Sequence, residues 1–170
     1  MKLYLIGLLL MAVVVPVVIQ KPIAAAQTAC GPQGARFKVD LDEGNHALRQ
    51  PEPGKALVYF VQDMGGRISM TADTTRIGID GTWVGANKGD SWFSVSVEPG
   101  VHHICANAHS HFLGNVIELA HFTAEAGHIY YYRTRSFMWQ TRRLEFAPVD
   151  SDQGLYMIGS SPASILRPLK

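Results

Sequence analysis

An excess of either charge is missing from this sequence. Its 15 basic residues stand against 14 acidic ones, a net charge of +1 over 170 residues. With no basic surplus to neutralise a run of phosphates, an electrostatic nucleic-acid binder is excluded. Cysteine is scarce too. Two cysteines cannot make a disulfide-dense scaffold or a four-thiolate zinc site. Charged residues make up 17% against 47% hydrophobic, which excludes disorder over the whole chain. Signature loops are lacking as well. Gly65-Gly66 has no G-x-G-x-x-G partner and no P-loop lysine, and no G-x-S-x-G elbow occurs.

Long apolar runs are absent except at the start. Met1-Lys2 precedes the run from Leu3 to Ile19, and the small-residue triplet Ala24-Ala25-Ala26 follows. That order is the n-region, h-region and cleavage site of a secretory leader. The run is about 17 residues long, at the lower limit for spanning a bilayer, and Pro16 interrupts it. Residues 1–26 therefore read as a signal peptide cleaved after Ala26. An uncleaved anchor and a lipoprotein acylated at Cys30 are the lesser alternatives; the latter has Gln27 where a lipobox wants Leu. Cleavage removes Lys2 and Lys21 and leaves 144 residues with 13 basic and 14 acidic side chains. The expected address is the periplasm or the exterior, with no membrane span after cleavage. A chain of that length can bury a substantial core.

Residues 27–54 lack sustained periodicity and read as an extended arm ending in the linker Gln50-Pro51-Glu52-Pro53-Gly54, with only Phe37 and Val39 suited to a short strand. Its acids Asp40, Asp42 and Glu43 fit a solvated arm better than a calcium site. Residues 55–160 read as the folded domain and 161–170 as a tail. Ala56 to Val61 is a buried strand. Thr75 to Ile79 alternates, and Asp80-Gly81 is a two-residue hairpin signal. That loop pairs Ile79 with Thr82, Gly78 with Trp83 and Ile77 with Val84. Ser91 to Val97 alternates strictly, with Phe93, Val95 and Val97 inward. Glu98-Pro99-Gly100 then reads as the turn of a second hairpin, placing Val95 opposite Ile104 and Phe93 opposite Ala106. Residues 107–115 read as a polar loop. Strands follow at 116–123, 128–133 and 143–149. Asp150 with Gln153 forms a capping box for a short helix with Leu155, Met157 and Ile158 on its apolar side and Gly154 weakening it. The expectation is an all-β protein, an antiparallel β-sandwich of about seven to eight short strands with an N-terminal arm and a short C-terminal helix.

The segments Lys55–Phe60, Gly78–Gly85, Ser91–His102 and Thr123–Arg133 together resemble the bacterial secreted family known as domain of unknown function 2846. The resemblance covers about residues 55–150. The hairpin closing on Glu98-Pro99-Gly100 is also similar to PEGA-type surface domains. The resemblance implies a small β-sandwich in an envelope or exported protein, and it carries no catalytic residues.

Three sets of side chains are candidates for function. In an oxidising compartment Cys30 and Cys105 are expected to form a disulfide that straps the arm across the sandwich. Arg76, Trp83 and Trp92 are expected on the outer sides of neighbouring hairpins, where flat indoles can stack on sugar rings. Alternatively, Trp83 simply covers Gly78 and Trp92 lies under the arm or a neighbouring strand. His103, His109, His111 and His121 crowd the next stretch. They are weighed as zinc or copper ligands against simple solvated histidines, and no tight ligand spacing such as H-E-x-x-H favours the metal. The expected function is thus an exported, non-enzymatic binding module with no cofactor. Its partner would be an envelope protein or polysaccharide, and a small metal-dependent enzyme or metal-binding protein using His103 to His121 is the alternative.

Overall fold

An unbroken apolar run needs two buried faces, and Ala56–Gln62 has them. A computed structural model describes residues 28–35, 37–44, 47–64, 74–110, 114–137 and 143–168. The expected leader and its expected cleavage triplet, Gly65-Gly66 and His111 lie outside the described residues. The strands are β1 (Phe37–Asp42), β2 (Ala56–Gln62), β3 (Thr74–Ile79), β4 (Thr82–Lys88), β5 (Ser91–Val97), β6 (Gly100–Ser110), β7 (Gly114–Ala124), β8 (Ile129–Phe137), β9 (Arg143–Val149) and β10 (Ala163–Pro168). Helix α1 (Ser151–Gly159) stands between β9 and β10. The strands form a six-stranded sheet, ordered β1-β10-β5-β2-β8-β9, and a four-stranded sheet, ordered β4-β3-β6-β7.

The expected sandwich is therefore present, with more strands than the sequence suggests. Its larger sheet is mixed: β2 runs parallel to β8, and β10 touches β5 in parallel at Ala163 and Trp92. β2 lies inside that sheet, and its side chains alternate between two layers. Ala56, Val58 and Phe60 face the four-stranded sheet, where Ile77, Ile104 and Ala106 meet them. Leu57, Tyr59 and Val61 face the other way, onto Trp92, Tyr131 and the α1 residues Met157 and Ile158. Each large side chain buried this way contributes roughly 1.5–3 kcal/mol. The triplet Tyr130-Tyr131-Tyr132 splits by the same parity, with Tyr131 in the helix-side layer and its neighbours in the inter-sheet core.

The second hairpin is a correction. β5 does not pair with β6. Val95 lies beside Val58 and Phe93 beside Phe60, whereas Ile104 lies beside Ile79 and Ala106 beside Ile77. Glu98-Pro99-Gly100 is a corner between the sheets, with Gly100 at a φ of 137°. The inward residues are nonetheless as expected, all in one inter-sheet cluster. A strand facing its layer and a strand paired in a hairpin require the same alternation, so the pattern does not distinguish them.

The first hairpin holds its turn. Asp80 and Gly81 take φ values of 48° and 86°, the positive pair a tight two-residue turn requires. Ile79 faces Thr82 and Gly78 faces Trp83, but the register then shifts and Ile77 faces Gly85 rather than Val84. Gly85 explains the shift, because a Cβ there would overlap the ring of Phe93. The bulge brings glycine to the point where that ring enters.

Two expected irregular segments are strands. The polar loop at 107–115 is mostly β6 and β7, because Ala106 and Ala108 alternate inward between outward residues. The tail contributes β10, which pairs along its length with β1, from Phe37 beside Pro168 to Asp42 beside Ala163. Neither β1 nor β10 has a strong pattern alone; each supplies a hydrogen-bonding edge for the other. No described helix is long and apolar enough to cross a membrane.

Candidate binding sites

The residues expected on one outer face are divided between two. Trp83 lies on the outside of the four-stranded sheet and Trp92 on the helix side of the six-stranded sheet. Trp83 is partly covered by the arm. Its indole Nε1 donates to the Pro32 carbonyl at 2.9 Å, and a Cβ at Gly31 would overlap its ring. The Arg76 guanidinium sits 4.6 Å from the ring centroid. It donates to the Ala35 carbonyl at 3.0 Å and to Asn107 Oδ1 at 3.2 Å. Partial burial holds the Arg76 pKa below its ordinary value. The Cys30–Cys105 disulfide joins the arm to β6, with the two Cα atoms 5.1 Å apart. Next to it, Gly78 lets the arm backbone approach, and the Ala29 carbonyl accepts from Gly81 N at 3.1 Å. The strap expected from the cysteines is therefore in place, and it closes over Arg76 and Trp83 instead of leaving them as a platform.

Trp92 is 6% exposed. Its Nε1 donates to the Ser161 carbonyl at 3.1 Å, and its ring packs 5.7 Å from that of Tyr59. With so little of the residue exposed, the ring is no flat platform for a sugar. Beside Trp92, however, opens a groove of about 580 Å³. One wall is the arm at Glu43, Gly44 and Leu48, and the other is the end of α1 with the turn that follows it. Both walls are tied down. Tyr59 Oη accepts from Arg49 N at 2.8 Å, and burial pushes the Tyr59 pKa up. The α1 terminus folds its own hydroxyls inward: Ser160 Oγ and Ser161 Oγ donate to the Met157 carbonyl at 3.1 and 2.6 Å. The groove is lined by the apolar Leu48, Leu155, Ile158 and Pro162 beside Glu43, its one charged residue, while the Met157 carbonyl near the end of α1 is already taken by the two hydroxyls. No local motif announces the groove, since its walls are more than a hundred residues apart in the sequence.

Among the described side chains, the histidines do not converge as a group. His103 and His121 face each other across β6 and β7, with ring centroids 6.2 Å apart. His109 occupies a β6 position beside Asn115. His102 points the other way, to Asp80 and Phe122. Among the described residues no group of three His, Cys, Asp or Glu side chains is placed to hold a metal ion.

No protein-family model, curated protein or solved structure matches the chain.

Proposed function

We propose that this is an exported binding module of the bacterial cell envelope, and that its partner is a protein segment seated in the groove beside Trp92. The leader-like N-terminus and a disulfide suited to an oxidising compartment support the export part of the reading. Kinship with the secreted family named above belongs to the proposal and rests on strand and turn order alone. The observation that carries the binding part is the groove itself, with Leu48 and Leu155 exposed on its rim and Trp92 on its floor. Such a surface fits an apolar side chain flanked by hydrogen-bond donors or a cation. A polysaccharide is the weaker partner, because Trp92 is buried and the arm and Arg76 lie against the Trp83 ring.

The test is a photo-reactive residue at Leu155 in cells. It should crosslink to a discrete envelope protein, and Leu48→Asp should cut the yield by about tenfold, the effect of losing one good apolar contact. Crosslinks to glycan alone, or equal yield from the same photo-reactive group at Val101 on the other sheet, would refute the reading.

A further inference from the structure

Two imidazole rings meet on the outer face of the four-stranded sheet. His103 and His121 are opposite partners in β6 and β7, which pair continuously from Gly100 with Ala124 to Ser110 with Gly114 and show no register shift. The His103 carbonyl accepts from Asp80 N at 2.9 Å, and His103 N donates to Asp80 Oδ1 at 2.8 Å, so its peptide groups turn toward the β3 side. His103 and His121 are therefore a non-hydrogen-bonded pair of the β6–β7 ladder. That is the position where facing side chains stand closest, with Cα atoms about 4.5 Å apart. Ile104, between His103 and Cys105, is in the inter-sheet core, so parity sets both rings on the face that carries the disulfide.

The other described histidine rings are engaged elsewhere. His102 has both nitrogens in hydrogen bonds, to Asp80 and the Glu98 carbonyl, and His128 Nδ1 lies 3.3 Å from the Ala126 carbonyl. Among the described residues no hydrogen bond or ion pair holds the ring of His103 or His121. Each has the other as its ring neighbour, with centroids 6.2 Å apart and planes inclined by 40°. His121 is exposed and His103 half-buried. The adjoining pairs on this face are Val101 with Thr123 and Cys105 with Leu119, so neither pair sets a lysine or arginine beside the rings to repel a cation.

We propose that His103 and His121 chelate one copper(II) ion, a nitrogen from each ring, with water completing its coordination. Imidazole suits the late first-row metals, whereas calcium and magnesium take oxygen ligands. Zinc sites ordinarily use three or four protein ligands, and the Asp80 carboxylate is already taken by His102 and the His103 N–H. Copper(II) heads the affinity series and accepts a square arrangement with two adjacent nitrogens and two waters. A metal–nitrogen bond of about 2.0 Å puts each ring centre roughly 3 Å from the ion, so two ligands at a right angle need centres roughly 4.5 Å apart. Turning the exposed His121 ring about its side-chain torsions closes the difference from 6.2 Å, while the continuous ladder keeps the two backbones in place. The site lies on a different sheet face from the groove beside Trp92, so the proposal stands whether or not that groove binds a protein.

Calorimetric titration of the tag-free, chelator-treated protein with copper(II) near neutral pH should show one ion bound with a Kd on the order of 10 μM or tighter. Spin-echo paramagnetic resonance should count two imidazole ligands. His103→Asn and, separately, His121→Asn should each weaken binding by at least about tenfold, the loss expected even when only the partner of a ligand is removed. Both variants should keep the far-UV spectrum and lose the two-imidazole signal, whereas His109→Asn and His111→Asn should leave affinity and signal unchanged. Saturating copper should also raise the melting temperature of the wild type by several degrees, and not that of the His103→Asn, His121→Asn double variant, because the ion bridges strands that are adjacent only in the folded chain. Absence of binding at about 100 μM copper would overturn the proposal. Binding that survives in the double variant at full strength would overturn it as well, because the ion would then sit elsewhere on the chain.

Discussion

His102 is held between two acceptors. Its Nδ1 lies 2.6 Å from the Asp80 carboxylate and its Nε2 lies 2.7 Å from the Glu98 carbonyl. A neutral imidazole has one N–H and can satisfy one of them; the imidazolium satisfies both. Partial burial pushes the His102 pKa down, but the Glu98 and Asp80 hydrogen bonds and the Asp80 charge outweigh it, and the net shift is upward. A group whose pKa is raised on folding stabilises fully below its unfolded value, about 6.5, and loses that contribution as the pH rises through its folded value. Asp80→Asn keeps a residue that tolerates positive φ and an oxygen for His103 N, and removes the charge. The melting temperature of the wild type should therefore exceed that of Asp80→Asn most near pH 5.5, and the gap should narrow by pH 9. A gap that widens with pH would contradict this account of His102.

At the scale of elements, α1 shows how packing overrides propensity. Asp150 caps it, accepting from Gln153 N at 2.8 Å. Gly154 in its first turn would ordinarily cost about 1 kcal/mol relative to alanine. Yet Gly154 is buried, and a Cβ there would overlap the Tyr131 ring and lie 2.9 Å from the Tyr131 Cβ, which cannot swing aside. Overpacking of that kind costs about 1–3 kcal/mol, so it exceeds the gain in propensity. Gly154→Ala should thus lower the urea midpoint with an unchanged slope; a rise would show that α1 can move off β8 to make room for the methyl group. The apolar side read from the sequence is also revised. Met157 and Ile158 are buried, whereas Leu155 stands at the rim of the groove. Three apolar residues on one short helix do not reveal which of them its sheet will cover.

Across the whole molecule, the disulfide holds a segment that the core does not. The inter-sheet cluster runs from β2 to β9 and includes no residue of the arm before β1. Removing the Cys30–Cys105 link, 75 residues apart in sequence, should cost about 4 kcal/mol in the chain-entropy model. A Cys30→Ser, Cys105→Ser double variant should unfold at lower denaturant yet keep its strand spectrum. The Trp83 emission should shift to the red as the arm lifts from the indole. An unshifted emission in the double variant would mean that the hydrogen bonds from Trp83, Arg76 and Gly81 hold the arm unaided.

Much of this architecture can be read from the chain itself, and the reason is locality. Residues two apart in an extended segment face the same way wherever that segment sits. Inward Phe93, Val95, Ile104 and Ala106, the Asp80-Gly81 turn and the Asp150 cap are legible for that reason. Two cysteines in the whole chain likewise leave one intramolecular partner each. Which strand lies beside which is another matter. Backbone hydrogen bonds are nearly indifferent to side chains, so β5 could take β2 as its neighbour where the sequence suggested β6. β1 and β10 have little pattern and became strands by pairing with each other beside β5. Whether Trp83 and Trp92 are platforms or packed depends on what crosses over them, and those coverings come from the arm and the turn after α1. The chain alone thus determines the side to which each residue turns, because parity is a property of neighbours in sequence. The neighbours it meets there, and the groove between its two ends, are decided by tertiary structure, because they depend on segments far apart in the chain closing on one another.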